Sequence, residues 1–296
     1  MSIAYYQSPH QINHHHSLVW FYYLVLLSVA LLGSIFATYN LTKNSIYSSP
    51  ISYSKPPISE TNIAPLVEIN EPEIIGFDEN DILSLNKVVK EWGDKQYGEY
   101  TISITDVKGY PMLVDDGDKS WFSASVYKLF VAYVAYQYIE DGRLDPGMSN
   151  CLEQMIVVSS NYCGRLLRST IGPDVINSEL RKHGINNTDL NLITTSSNDM
   201  ATVTKLIWNG VDLTPNARKE LLHNMDTQHF TGAFQSGFKK AEVYDKIGCC
   251  YADEYTDAAI IVLPDERVLM ISIMTDGIFS WNIHRLGEQI ENALVK

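Results

Sequence analysis

Residues 241–274 read AEVYDKIGCCYADEYTDAAIIVLPDERVLMISIM. Three apolar runs of strand length stand out, 241–248, 258–264 and 267–274, the last two joined through Pro264-Asp265-Glu266. Short runs rich in Ile, Val and Ala and bounded by turn residues read as strands, and two joined by a tight turn read as a hairpin. A second strand pair, TISITDV (101–107) and PMLVDD (111–116), lies far upstream and turns at Lys108-Gly109. Between the two β regions the pattern is helical. Ile82, Leu83, Leu85, Val88 and Val89 predict a helix near 79–92, and an apolar helix runs from Ser125 to about Ile139. Residues 151–227 read as helical segments broken by Gly164, Gly172, Gly184 and Gly210, and a last helix spans 281–295. Early strands, a helical block and late strands predict an α+β fold or an α/β sandwich whose sheet combines both chain ends, the α+β form being the one expected here. The expected form is a three-layer α/β/α arrangement whose mostly antiparallel sheet is built from both chain ends, with an all-helical subdomain.

The 296 residues are 45% hydrophobic and 19% charged, which excludes wholesale disorder. A net charge of -13 with no basic cluster opposes attraction to a phosphate backbone, so nucleic-acid binding is excluded. Four Cys are too few and too irregularly spaced for a disulfide scaffold, and no CxxC zinc pattern occurs. No metal or other cofactor is expected.

Leu18 to Thr38 carries no charge across 21 positions, enough to cross about 30 Å of hydrocarbon as a helix. Trp20, Phe21, Tyr22 and Tyr23 cluster at one end, where amphipathic rings favour the interface. A cleaved signal peptide is the alternative, but its apolar region is shorter and follows basic residues, whereas residues 1–17 hold no Lys or Arg. The expected organisation is a short polar tail (1–17), a transmembrane anchor (18–38), a Pro/Ser-rich spacer (39–78) and a globular domain (79–296). The triple His14-His15-His16 reads as solvated tail rather than a metal site.

Ser125-Val126-Tyr127-Lys128 fits S-x-x-K and opens the apolar helix. Positions i and i+3 share a helix face, so Lys128 can sit beside the Ser125 hydroxyl and take its proton, provided its pKa is lowered. The backbone amide of Ser125 then lies at a helix N-terminus, where developing negative charge is favoured. Ser159-Ser160-Asn161 fits S-x-N 34 residues later, and Lys246-Ile247-Gly248 fits K-x-G after a further 87. Each motif alone recurs elsewhere in this chain as a cap or turn. The ordered set, each member in a fitting context, carries the information.

These segments resemble the class A serine β-lactamases and the related penicillin-binding proteins. FSASVYKLF is similar to that family's nucleophile segment and MIVVSSNYCGRLLRSTIG to its second-motif helix. TSSNDMATVTKLIWNG resembles the stretch after its omega loop, and DKIGCCYADEYTDAAIIVLP its third-motif hairpin. The resemblance spans nearly all of 79–296 and implies roles residue by residue. Ser125 is the acylated nucleophile, Lys128 its base, and Ser159 a proton relay to the leaving nitrogen. Asn161 holds the substrate amide, Lys246 supplies positive charge for the substrate carboxylate and lowers the neighbouring pKa, and Gly248 completes the substrate-binding set. The backbone N–H groups of Ser125 and Cys249 form the oxyanion hole.

Three departures qualify that inheritance. The family's omega-loop motif E-x-x-L-N, whose Glu activates the deacylating water, is absent, and the segment is about a dozen residues short. Asp189 is a candidate substitute, although a loop or capping Asp is the plainer reading. Without the base, deacylation loses a factor of about 10²–10⁴. Ile247 stands where the family has Thr or Ser, removing a hydroxyl that binds the substrate carboxylate. Cys249 and Cys250 follow the third motif, one facing the cleft and one the core, with a disulfide to Cys151 or Cys163 and buried free thiols both open.

The expected function is a membrane-anchored active-site-serine hydrolase or acyl-transferase with its catalytic domain outside the cytoplasm. That side of the membrane is implied by the resemblance, since the flanking charges are silent. Its substrates would be β-lactams or D-Ala-D-Ala-type peptidoglycan peptides, and its deacylation slow. The alternatives are a non-hydrolytic β-lactam or muropeptide sensor and a pseudo-enzyme that binds wall peptides. Beyond the membrane and the wall peptide, no protein partner is identifiable.

Overall fold

Five strands form one antiparallel sheet in the order β2-β1-β7-β6-β5, so the two chain ends interleave in a single layer. They are β1 (Glu99–Asp106), β2 (Pro111–Asp115), β5 (Glu242–Cys249), β6 (Tyr255–Val262) and β7 (Val268–Asp276). Two-residue strands β3 (Trp121–Phe122) and β4 (Thr194–Thr195) pair separately. The structure, a computed structural model, describes residues 76–249 and 254–295. The predicted tail, the transmembrane segment at 18–38 and most of the spacer lie outside the described residues. No described helix is long and apolar enough to cross a membrane.

Helix α1 (Glu79–Gly93) begins with a reciprocal cap. The Asp78 carboxylate accepts from Asp81 N at 2.9 Å and the Asp81 carboxylate from Asp78 N at 3.2 Å. Phe77 is already buried, so packing starts just ahead of the helix. Asp81 is also held by Arg267 of the β6–β7 turn at 2.6 Å, which ties the start of the domain to its late hairpin.

The central helix α2 (Tyr127–Glu140) is apolar all round, and 11 of its residues are buried. A helix of that composition belongs inside a core, here packed against α3 (Ser149–Val157), α4 (Asn161–Ile171), α5 (Pro173–Arg181) and α6 (Ser197–Asn209). Helix α6 is stopped by Gly210 at φ 66°, the left-handed conformation that glycine adopts without steric cost. Helix α7 (Pro215–Asp226) and the short α8 (Ala233–Gly237) lead into β5.

The last helix, α9 (Ser280–Leu294), returns over the sheet beside α1 and α8. One sheet face packs Ile102, Ile104, Ile261 and Ile271 under those three helices. The other face packs Ala258, Ile260, Met270 and Met274 against the helical block. The expected layers and the sheet shared between chain ends are present. The strands shift by one to three residues from the sequence reading, because hydrogen bonding continues past the apolar runs.

Candidate active site

The sheet edge at β5 and the N-terminal ends of α2 and α4 converge on one cleft. Ser125 sits in a 3₁₀ turn, Ala124–Val126, immediately before α2, rather than in the helix itself. Ala124 is held at φ 44° and Ser159 at φ 53°. Left-handed conformations cost non-glycine residues of order 1–3 kcal/mol each and persist where the surroundings over-determine them. Both strained residues belong to the loops that carry the two serines.

Lys128 is fully buried. Its Nζ contacts Ser125 Oγ at 2.9 Å, Ser159 O at 2.6 Å, Ser159 Oγ at 3.0 Å and Asn161 Oδ1 at 2.8 Å. A neutral amine suits this shell. Its two N–H groups serve the two carbonyl oxygens, and its lone pair is left for a serine hydroxyl proton. Burial, with smaller contributions from the positive charges of Lys246 and Arg165, pulls the Lys128 ammonium down to about 7.

Glycine makes this approach possible. A Cβ at Gly164 on α4 would lie 2.5 Å from the Tyr127 hydroxyl and 3.1 Å from Lys128 Cε. The Cys151–Cys163 disulfide joins α3 to the first turn of α4 beside that glycine, bracketing Ser159. The cysteine expectation is corrected accordingly. Cys151 and Cys163 pair with each other rather than with the third motif, because α3 and α4 bring their Cα atoms to 5.2 Å. Cys249 is disulfide-bonded too, so free thiols are not found among the described residues.

Lys246 is also fully buried, lying under the cleft with its Nζ 3.4 Å from Gln228 Oε1. Burial lowers its pKa to about 8, against the opposing pull of Asp245 and Asp257. Those two carboxyls are fully buried. Gln228 Nε2 donates to Asp245, and Phe234 N donates to Asp257 at 3.0 Å. Asp245 Oδ2 and Asp257 Oδ1 meet no other donor. Burial raises both pKa values, Asp257 to about 7 and Asp245 well above the usual carboxylate range, with the nearby Asp257 charge adding to the rise at Asp245. Gln228, Asp245 and Asp257 were not singled out in the sequence. Their only signal was two aspartates interrupting otherwise apolar strands.

The cleft has a volume of about 170 Å³ and is lined by Ser125, Ser159, Asn161, Phe230, Ile247 and Cys249. Four of these six, Ser125, Ser159, Asn161 and Cys249, were expected site residues; Ile247 was noted only as a departure from the family pattern, and Phe230 was missed. Gly248 lies behind the wall, where β5 crosses the nucleophile turn. Its carbonyl and that of Ser123 both accept from Thr256 Oγ1 at 3.3 Å. A larger depression, about 480 Å³, lies between α1 and the end of α9. Its Arg267 is paired with Asp81 and Asp265, and it holds no motif residue.

Asp189 does not join the cleft residues. Its carboxylate accepts from Asn177 Nδ2 at 2.9 Å and Asn191 N at 2.8 Å, and the Asn191 amide holds its pKa down. It is a loop anchor, as the plainer reading had it. Asp199 anchors the same segment from α6, accepting from Asn187 N and Thr188 Oγ1, both at 2.7 Å. Among the described residues no cluster of His, Cys, Asp and Glu is arranged to hold a metal ion.

Residues 146–285 match the Beta-lactamase enzyme family. No curated protein matches the sequence significantly. Several solved structures share the fold at low identity. A PBP-A mutant in an acyl-enzyme complex with penicillin G aligns with 18% identity and a TM-score of 0.65 over 71% of this chain and 96% of its own. A β-lactamase from Xanthomonas campestris pv. campestris aligns with 18% identity and a TM-score of 0.66 over 73% and 99%. An ancestral Gram-negative class A β-lactamase gives 18%, 0.64, 71% and 99%.

Proposed function

We propose that this chain is an active-site-serine acyl enzyme of the class A β-lactamase/transpeptidase-like superfamily. The observation that carries the reading is the shell of Lys128, whose buried Nζ lies within 3.0 Å of both Ser125 Oγ and Ser159 Oγ.

Lys128 in its neutral form takes the Ser125 proton as Oγ attacks an amide or ester carbonyl. The amides of Ser125 and Cys249 receive the developing oxyanion, a contribution of about 3–4 kcal/mol when donors are well aimed. Ser159 passes the proton from Lys128 to the leaving atom, the bond to the leaving group breaks, and an acyl ester remains on Ser125. Asn161 orients the acyl side chain. Lys246 keeps the field positive around Ser159.

Among the described residues deacylation has no evident base. Asp189 is engaged elsewhere, and losing a general base costs about 10²–10⁴ in rate. The acyl-enzyme therefore persists, as in a penicillin-binding protein, a function compatible with slow hydrolysis or with sensing. The substrate class is a β-lactam or the D-Ala-D-Ala-type peptide that it mimics. A membrane anchor at 18–38 with the domain outside the cytoplasm completes the proposal. The Cys151–Cys163 disulfide supports an oxidising compartment.

The test follows adducts of a labelled penicillin on the full chain by intact-mass spectrometry, comparing wild type with Ser125→Ala. A single adduct that persists for hours and vanishes in Ser125→Ala is expected. Hydrolysed drug with only a transient adduct would make the protein a working β-lactamase. No adduct, together with no labelling of Ser125 by a fluorophosphonate, would leave the non-acylating alternative in its place.

A further inference from the structure

Ser159 follows α3 and Lys246 lies on β5, and among the described residues no hydrogen bond joins their side chains directly. One dipeptide, Gln228-His229, touches both neighbourhoods. Helix α7 closes with Thr227 N donating to His223 O at 3.0 Å. The next residue, Gln228, is 3% exposed and turns its side chain onto β5. His229 then donates its backbone N–H at 2.9 Å to the carbonyl of Val157, the last residue of α3 and two before Ser159.

The orientation of the Gln228 amide is fixed by what surrounds it. Nε2 donates to Asp245 O at 3.0 Å and to the Asp245 carboxylate. Both partners are acceptors, so a reversed amide would set oxygen against oxygen at each of them. Oε1 therefore faces the other way, toward Lys246 Nζ at 3.4 Å. It is the one acceptor within hydrogen-bond reach of that ammonium among the described residues. A buried cation without an acceptor is strongly unfavourable, so the place of Gln228 Oε1 decides where Lys246 puts its charge.

The backbone half of the dipeptide acts on the serine. Ser159 holds φ 53°, a conformation that persists where its neighbours over-determine it. His229 N on Val157 O fixes the chain before it, and Ser160 N on Gln154 O at 3.0 Å fixes the chain after it. The charged groups acting on Lys246 are Asp245 beside it on β5 and Asp257 on β6, and Lys246 in turn acts on Lys128 of α2. From the side of α7 the group that reaches it is the neutral Gln228.

We infer that Gln228 is a positioning residue for acylation: its side-chain amide, held by Asp245, sets the Lys246 ammonium in register with the Ser159 loop that the adjoining His229 amide pins. The inference rests on the acyl-enzyme reading above and adds to it a residue outside the three motifs. Gln228 does not line the cleft. It acts through Lys246, whose charge favours neutral Lys128.

The test compares wild type, Gln228→Met and Gln228→Glu as full chains. Adducts of a labelled penicillin and, in parallel, of a fluorophosphonate are followed by intact-mass spectrometry as a function of pH. Gln228→Met keeps the length of the side chain and removes both its donor and its acceptor. Acylation is expected to fall about tenfold. The alkaline limb should move down by about one pH unit, because protonated Lys246 loses its acceptor and the Asp245 carboxylate its donor. Gln228→Glu is nearly isosteric, keeps an acceptor for Lys246 and adds negative charge, so its alkaline limb should move up. A residue that merely holds the loop would lower the melting temperature and scale the whole profile without moving the limb, and that result overturns the inference. In a Lys246→Gln background Gln228→Met should cost little further, and a full tenfold loss there overturns it as well. Should Gln228→Met not fold, the Gln228→Glu limb decides alone, and a position at or below that of wild type counts against the inference. Absence of both labels from wild type would instead remove the acyl-enzyme reading, and this inference with it.

Discussion

A Cβ added to Gly248 would lie 2.9 Å from the backbone nitrogen of Ser125. The same atom would meet Ser123 O at 2.9 Å and Thr256 Oγ1 at 2.3 Å, so three neighbours on two elements close around the position. The glycine of the third motif is there because β5 runs directly against the nucleophile turn. Backbone atoms cannot swing aside as a side-chain tip can. Gly248→Ala is therefore expected to displace the turn and reduce Ser125 acylation by about 10²-fold, the usual consequence of a misplacement near 1 Å. Labelling kinetics with a fluorophosphonate measure it, and an unchanged rate would mean that the turn tolerates the shift.

The pH dependence of acylation follows from two buried lysines. Lys128 acts in its neutral form, and its pKa is lowered to about 7. Acylation should rise with pH through that value, because protonated Lys128 has no lone pair for the Ser125 proton. Lys246 acts as a cation and titrates at about 8. The rate should fall again as that charge is lost, leaving a narrow optimum between the two limbs. A pH–rate profile for adduct formation checks both, and Lys246→Gln should remove the upper limb. A profile flat from pH 6 to 9 would contradict the assignment of Lys128 as base.

The Cys151–Cys163 bridge spans a sequence separation of 12. Closing a loop of that size removes unfolded-state entropy worth about 3 kcal/mol. For a domain of this size the double variant Cys151→Ser/Cys163→Ser should melt about 6–12 °C lower. Thermal melts with and without a reductant provide the comparison. Because the bridge brackets Ser159, the oxidised protein should also acylate faster than the double variant at a temperature where both are folded.

Asp189→Asn separates the anchor from the base. The carboxylate accepts from Asn177 and Asn191, and an amide keeps one acceptor oxygen for them. Deacylation should change by less than about threefold, against the 10²–10⁴ expected of a general base. Stability should fall by about 1–2 kcal/mol, the scale of a weakened charge-assisted hydrogen bond. Time courses of adduct decay, run beside a denaturant titration, distinguish the two roles.

Much of this protein is determined by local chemistry and so is legible in its sequence. Strand and helix periods, the turn at Pro264-Asp265-Glu266 and the order of three short motifs are properties of neighbouring residues. They were enough to predict the layers and the shared sheet, and with the family resemblance four of the six residues lining the cleft. What tertiary structure alone decided are relationships between residues far apart in the chain. Asp245 and Asp257 become a pair of fully buried carboxyls only because β5 and β6 pair and the helices cover them. Phe230 enters the cleft through the loop before α8, a segment with no period to reveal its direction. Cys151 meets Cys163 because α3 and α4 fold back on each other, and spacing alone did not select that pairing. Lys128 is an ordinary lysine in S-x-x-K until burial, Lys246 and Arg165 lower its proton affinity. Those effects depend on distance in space and on excluded water, and neither is written in the order of residues.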